Sequence, residues 1–164
     1  MQTLSVAVIA TDELQQRCQT ILARARSVRV LSRGVDLAGA SRLVRRHRPN
    51  VLLLDAVEFP VQALGLLPTL RRLSPTTGVI LLSKDRTPTA VVLEGLRRGA
   101  WGHLTERDLS RCLPKAVRTV AAREPWLPRR LGAVIVAELR AAGRASRRRP
   151  RPRLRLIRGG RDAR

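Results

Sequence analysis

Short unbroken apolar runs alternate along this chain with longer stretches in which apolar residues recur every three or four positions. Residues 4–10 (LSVAVIA) read as a first strand, and Asp12 behind it is placed to cap a helix through its side chain. Leu14, Cys18, Ile21, Leu22 and Ala25 then recur at helical spacing, and residues 27–32 (SVRVLS) alternate as an edge strand does. Asp36 opens a second helix, with Leu37, Ala40, Leu43 and Val44 on one face and Arg45, Arg46 and Arg48 on the other, until Pro49-Asn50 stops it. Residues 51–54 (VLLL) form a run without alternation, which suits a strand buried on both faces, and the run stops on Asp55. Leu64, Leu67, Leu70 and Leu73 mark a third helix, which Gly65 and Pro68 weaken or kink. Residues 78–83 (GVILLS) are a fourth strand, Thr87-Pro88 starts a helix with Val91, Val92 and Leu96 inward, and Gly99 ends it. Residues 101–105 give a weak fifth strand, and Pro114, Val117, Val120 and Ala121 a fifth helix.

Five strands alternating with five helices predict a parallel sheet covered on both faces. Burying a charge is costly, so Asp55 belongs where its strand leaves the core, at the carboxyl edge where open α/β sheets place their chemistry. With strand order 2-1-3-4-5, Asp12 and Asp55 approach each other there, and Ser83 and Glu106 follow strands four and five to the same edge. Paired carboxylates beside a hydroxyl suit a hard cation such as Mg²⁺, which keeps several waters and needs few protein oxygens. A carboxylate beside such a metal can also act as a nucleophile toward phosphorus.

Composition changes this picture in two ways. Cys18 and Cys112 are far apart and lack metal-ligand spacing, so they read as buried thiols of a reducing compartment. No apolar run approaches a bilayer span, and the first residues lack a basic leader, which points to the cytoplasm. The net charge of +21 is densest at the carboxyl end, where residues 144–164 hold ten Arg against one Asp. The rest of the chain is basic as well, so a salt-dependent attraction for polyanions is expected.

Several motifs in order carry a resemblance. PNVLLLD at 49–55, VILLS at 79–83, GLRRGAWGHL at 95–104 and KAVRTVAAREPWLPRR at 115–130 resemble response-regulator receiver domains of the NarL/LuxR type. The resemblance implies the CheY-like, flavodoxin-like (βα)5 fold over residues 1–125, followed by a linker helix at 126–142; the Arg-rich tail at 143–164 is too polar and too charged to pack and reads as disordered. It implies that Asp55 is the phospho-acceptor of a histidine kinase, that Asp12 with Asp55 holds Mg²⁺, and that Ser83 and His103 occupy the phosphoryl-contact and aromatic-switch positions. Thr11 replaces the first acid of the family's acidic pair. Glu58-Phe59 replaces its met-pro pair, and Leu64 a later glycine. Glu106 stands where the family has a lysine. Two like charges about 4 Å apart cost roughly 4 kcal/mol at an effective dielectric near 20, so a phosphoryl group is disfavoured unless Lys84 or Arg107 substitutes. Glu106 either supplies the carboxylate that Thr11 lacks or faces solvent. The expectation is an atypical receiver with weak or absent phosphorylation, and no enzymatic turnover.

In the resembled regulators the linker leads into a helix-turn-helix DNA-reading domain. Here 22 residues follow position 142, too few and too charged for that domain. The expectation is a regulator truncated before its DNA-binding domain, its tail either an out-of-frame product or a basic arm for nucleic acid. The apolar face of helix 128–142 (Leu131, Val134, Ile135, Leu139) is expected to fold back or to pair with a second copy. The rival reading is a non-specific nucleic-acid-binding protein on a receiver scaffold, using its basic body and its Arg-rich tail 144–164.

Overall fold

The computed structural model describes residues 3–31, 36–58 and 60–147, and the chain divides into two compact units, Met1–Gly132 and Ala133–Arg164. The first unit contains a five-stranded parallel sheet in the order β2-β1-β3-β4-β5. Its elements are β1 (Leu4–Ile9), α1 (Asp12–Ala23), β2 (Val28–Val30), α2 (Leu37–His47), β3 (Val51–Asp55), α3 (Pro60–Leu73), β4 (Gly78–Ser83), α4 (Thr89–Arg97), β5 (Gly102–Thr105) and α5 (Leu109–Ala121). A single 3₁₀ turn, Glu106–Asp108, joins β5 to α5, and α6 (Arg129–Arg147) follows. This is the expected flavodoxin-like architecture.

The unbroken apolar runs have a direct cause. Strand side chains alternate between faces. Val51 and Leu53 therefore enter one core with Val6, Val8, Ile80 and residues of α1 and α5. Leu52 and Leu54 enter a second core with Ala7, Ile9, Val79 and residues of α2 and α3. β3 and β4 are buried along their whole length. β2 is the short edge strand, and residue 32 of the strand expected at 27–32 lies outside the described residues.

Some local expectations change. The N-cap of α1 is Thr11, without a side-chain cap bond, so Asp12 is the first helical residue and does not cap. Thr11 turns its N–H outward to Asp55 instead. Asp36 does cap α2, accepting from the Gly39 N–H at 2.9 Å. α3 runs unbroken through Pro68. Its lost hydrogen bond and ring clash cost about 3 kcal/mol, and burying Leu67 and Leu70 on either side, each worth about 1.5–3 kcal/mol, offsets that. α5 starts at Leu109, with Pro114 inside it, and Cys112 is only half-buried while Cys18 is fully buried.

The segment after α5 closes the first unit. Trp126 pairs with β5: its N–H donates to the Trp101 carbonyl at 3.1 Å, and the His103 N–H donates to the Trp126 carbonyl at 2.9 Å. Leu131, at the start of α6, is also buried. α6 continues to Arg147, past the position 142 at which the linker was expected to end. The rest of the expected tail, 148–164, lies outside the described residues, as does Phe59. Among the described residues no helix is long and apolar enough to cross a membrane.

Candidate functional site

Asp55 is the last residue of β3 and is 3% exposed. Its Oδ1 accepts the Val57 N–H at 2.7 Å and its Oδ2 the Thr11 N–H at 3.2 Å. The second bond follows from register: Ile9 of β1 lies opposite Leu54 of β3, so the chain leaving β1 passes over the carboxylate. A cleft of about 440 Å³ opens beside it, lined by Thr11, Asp36, Leu37 and Gln62 among others.

One strand further on, β4 ends at Ser83, which lies opposite Thr105 of β5. Ser83 Oγ is 2.6 Å from His103 Nε2 and 3.3 Å from the Lys84 carbonyl, and both side chains are buried. With the ring proton on Nε2, His103 donates to Ser83 and the serine hydroxyl donates to the carbonyl, which uses both protons. His103 is thus 2% exposed and bonded across two strands.

Glu106 neither joins Asp55 nor points freely to solvent. Arg17 of α1 clasps it, with Nη1 3.2 Å from Oε2 and Nη2 donating to the Glu106 carbonyl at 3.3 Å. Cys18, next to Arg17, lies beneath. Burial pushes its thiol up to about 12; the Arg17 charge opposes this, and the Asp55 and Glu106 charges add to it. Lys84 Nζ lies 3.8 Å from Glu58 in an exposed pair, and the Arg107 N–H reaches Asp85 Oδ1 at 3.4 Å.

The residues expected to hold a hard cation are Asp12 and Asp55. Asp12 is exposed in the first turn of α1, and each Asp55 oxygen keeps lone pairs beyond the one N–H it accepts. No group of three or more His, Cys, Asp or Glu able to hold a metal assembles among the described residues. The donor set suits Mg²⁺ with water completing its shell and does not suit a soft metal.

No protein-family model matches the chain, and no curated protein matches it. Solved structures do match. The isolated receiver domain of RcsB from Salmonella enterica serovar Typhimurium, without ligand, superposes with a TM-score of 0.71 at 16% identity, over 80% of this chain and 98% of that one. A two-component response regulator of the LuxR family from Aurantimonas sp. SI85-9A1 gives 0.70 at 18% identity, over 86% of this chain and 99% of that one. The response regulator domain of Thermotoga maritima CheB gives 0.65 at 20% identity, over 76% of this chain and all of that one.

The chain has the receiver-domain fold.

At such identities the likeness establishes the fold, and function has to be argued from the pocket. The fold brings Asp55 and Ser83 to the carboxyl edge of the sheet, and His103 reaches Ser83 from within β5. Arg17 was not singled out beforehand, because a helix-face arginine 89 residues from Glu106 gives no local signal of that pairing. Nor was the second backbone donor to Asp55 visible: it depends on the β1–β3 register rather than on the identity of residue 11.

Proposed function

We propose that this chain is a response-regulator receiver protein of two-component signalling that acts by protein contact rather than turnover, and that its phospho-acceptor pocket is atypical. The observation that carries the reading is Asp55, buried at the end of β3 with both oxygens oriented by backbone N–H groups, at the same edge of the sheet as a Glu106–Arg17 pair where the resembled family has a lysine.

In this reading an Asp55 oxygen attacks phosphorus of a histidine kinase's phosphohistidine or of an acyl phosphate. The new O–P bond forms as the bond to the leaving group breaks. Thr11 and Val57 hold the carboxylate for that attack. Asp12 and Asp55 would hold Mg²⁺, which when bound neutralises phosphoryl oxygens. The local charges oppose the product. Glu106 adds a negative charge near a dianion, Arg17 is engaged by it, and Lys84 would have to leave Glu58. Ser83 would have to turn from His103 to reach a phosphoryl oxygen. Contact with a kinase or other signalling protein, in the cytoplasm, is the proposed mode of action, and a homodimer through helix 128–142 is a second contact of this kind. A second reading, non-specific nucleic-acid binding with tail 144–164, is supported by the net charge of +21. Salt-sensitive DNA binding that is lost when 144–164 is deleted would favour it.

Phosphoryl loading of the purified protein by a small acyl-phosphate donor and Mg²⁺, read by intact mass, tests the main reading. Wild type should load partially or not at all. Glu106→Lys should load further, and Asp55→Ala should abolish loading in either background. Full loading of wild type would remove the claim of an atypical pocket. Loading that survives Asp55→Ala would remove Asp55 as acceptor.

A further inference from the structure

Every strand of the sheet runs the same way, so the helices between them all finish at one edge, where the strands begin. Each of those ends carries arginine. α1 is capped by Arg24, with Arg26 two residues on, and α2 closes on Arg45, Arg46 and Arg48. Arg71 and Arg72 end α3, Arg97 and Arg98 end α4, and Arg118 and Arg123 close and follow α5. All are exposed. The carboxylates gather at the opposite edge, after the strands, at Asp12, Asp36, Asp55, Glu58, Asp85 and Glu106. Toward the arginine edge lie Glu94 and Glu124, and Glu94 is already taken by Arg97 and Arg98 at 3.6 and 2.7 Å.

One cation at a helix carboxyl end is what the helix dipole favours. Two or three at each end, set side by side, exceed that and repel one another. Among the described residues no carboxylate comes within ion-pair distance of Arg24, Arg26, Arg45, Arg46, Arg71 or Arg118. Two recesses carry these groups. One, of about 420 Å³ between α1 and α5, is lined by Arg24, Arg26 and Arg118. The other, of about 500 Å³, is lined by Arg71 and Trp101, and the Arg123 guanidinium lies 5.7 Å from the centre of the Trp101 ring.

The chemistry of this edge selects its partner. The exposed large apolar side chains among the described residues are Val61, Val136 and Leu139, none of them at these helix ends. The edge therefore lacks the apolar centre of a protein interface and the anchor of a membrane-surface helix. A second copy presenting the same edge, or the chain's own basic tail, would bring like charge. Guanidinium groups bind phosphate oxygens through two parallel hydrogen bonds. Five strands span about 20 Å, a length of duplex that carries on the order of ten phosphate charges.

We propose that the edge of the sheet opposite Asp55 is a platform that binds the phosphate backbone of nucleic acid, without reading sequence, through the arginines that end all five helices of the first unit. The platform belongs to the folded unit. It depends neither on tail 144–164 nor on the chemistry at Asp55.

The test is fluorescence anisotropy of the full chain with a labelled DNA duplex of arbitrary sequence, between roughly 50 and 200 mM salt. Arg45→Glu/Arg46→Glu and Arg71→Glu/Arg72→Glu remove charge from the platform. Arg86→Glu/Arg107→Glu makes the same change in charge at the opposite edge. Each platform double should weaken binding at least about tenfold at 0.1 M salt and flatten the salt dependence by about two units of slope; the control should cost less than about threefold. Equal losses from platform and control doubles would overturn the proposal, because overall charge alone would then account for binding. Polyglutamate that displaces the duplex as effectively as unlabelled DNA at equal charge would overturn the nucleic-acid assignment. Circular dichroism checks folding, and Arg→Gln doubles should move binding the same way should a Glu double fail to fold.

Discussion

The 2.6 Å contact between Ser83 and His103 joins two fully buried polar side chains on adjacent strands. Removing one partner of such a pair leaves the other without that bond and costs about 1–3 kcal/mol, whereas replacing both by apolar groups is far closer to neutral. Ser83→Ala should therefore lower the urea unfolding free energy by about that amount, and adding His103→Phe should recover part of it. Strictly additive losses in this double-mutant cycle would show that the contact contributes nothing. The two cysteines differ on the same physical grounds. Cys18, its thiol pushed up to about 12 chiefly by burial, stays protonated and shielded at pH 8, while Cys112 is half-exposed. A thiol reagent at pH 8 should modify Cys112 in the native protein and Cys18 only on unfolding; equal rates would contradict the packing around α1. At this scale the sequence revealed the residues of the pocket but not their partners. Asp55 and Ser83 are legible because each ends an apolar run. The clasp of Arg17 on Glu106, and the bond of Ser83 to His103 across two strands, depend on tertiary contacts that no local pattern encodes.

Elements were easier to read, because burial on two faces leaves β3 and β4 without polar interruption, and the stripes of α1, α2 and α5 each meet one core. Packing sets the length of α3, which carries both Gly65 and Pro68 and runs as one helix. The two kinds of glycine predict opposite outcomes. A methyl group on Gly78, at the start of β4, would collide with Cγ1 of Val120, a fully buried β-branched side chain on α5. Gly78→Ala should destabilise by about 1–3 kcal/mol through overpacking. Gly65 has nothing within 4 Å of the added carbon, so Gly65→Ala should stabilise by about 0.8–1 kcal/mol through helix propensity. Denaturant midpoints of both variants check this, and equal shifts would mean that the close approach of β4 to α5 is not maintained in solution.

For the whole molecule, the net charge of +21 is plain in the sequence, but its division between the two edges is not, since only the common direction of the strands brings the helix ends together. That division decides how salt acts on stability. Salt screens attraction and repulsion alike, with a screening length of about 10 Å at 0.1 M and about 3 Å at 1 M. The attractive side is small: pairs such as Arg17–Glu106 and Lys84–Glu58 are solvent-exposed, and such pairs are each worth about 0–1 kcal/mol. The repulsive side is collective, because the arginines that end the helices face one another with few carboxylates among them. Repulsion should dominate, so raising sodium chloride from 0.1 to 1 M should raise the melting temperature, by about 2–4 °C for each kcal/mol relieved. If anions settle on the arginine edge, sodium sulfate at matched ionic strength should raise it further. The platform variant Arg45→Glu/Arg46→Glu should respond less to either salt than Arg86→Glu/Arg107→Glu, because part of the repulsion is already gone. A melting temperature that falls with salt would mean that the exposed pairs outweigh the crowded edge, and the like-charge clustering read from the helix ends would carry no energetic consequence.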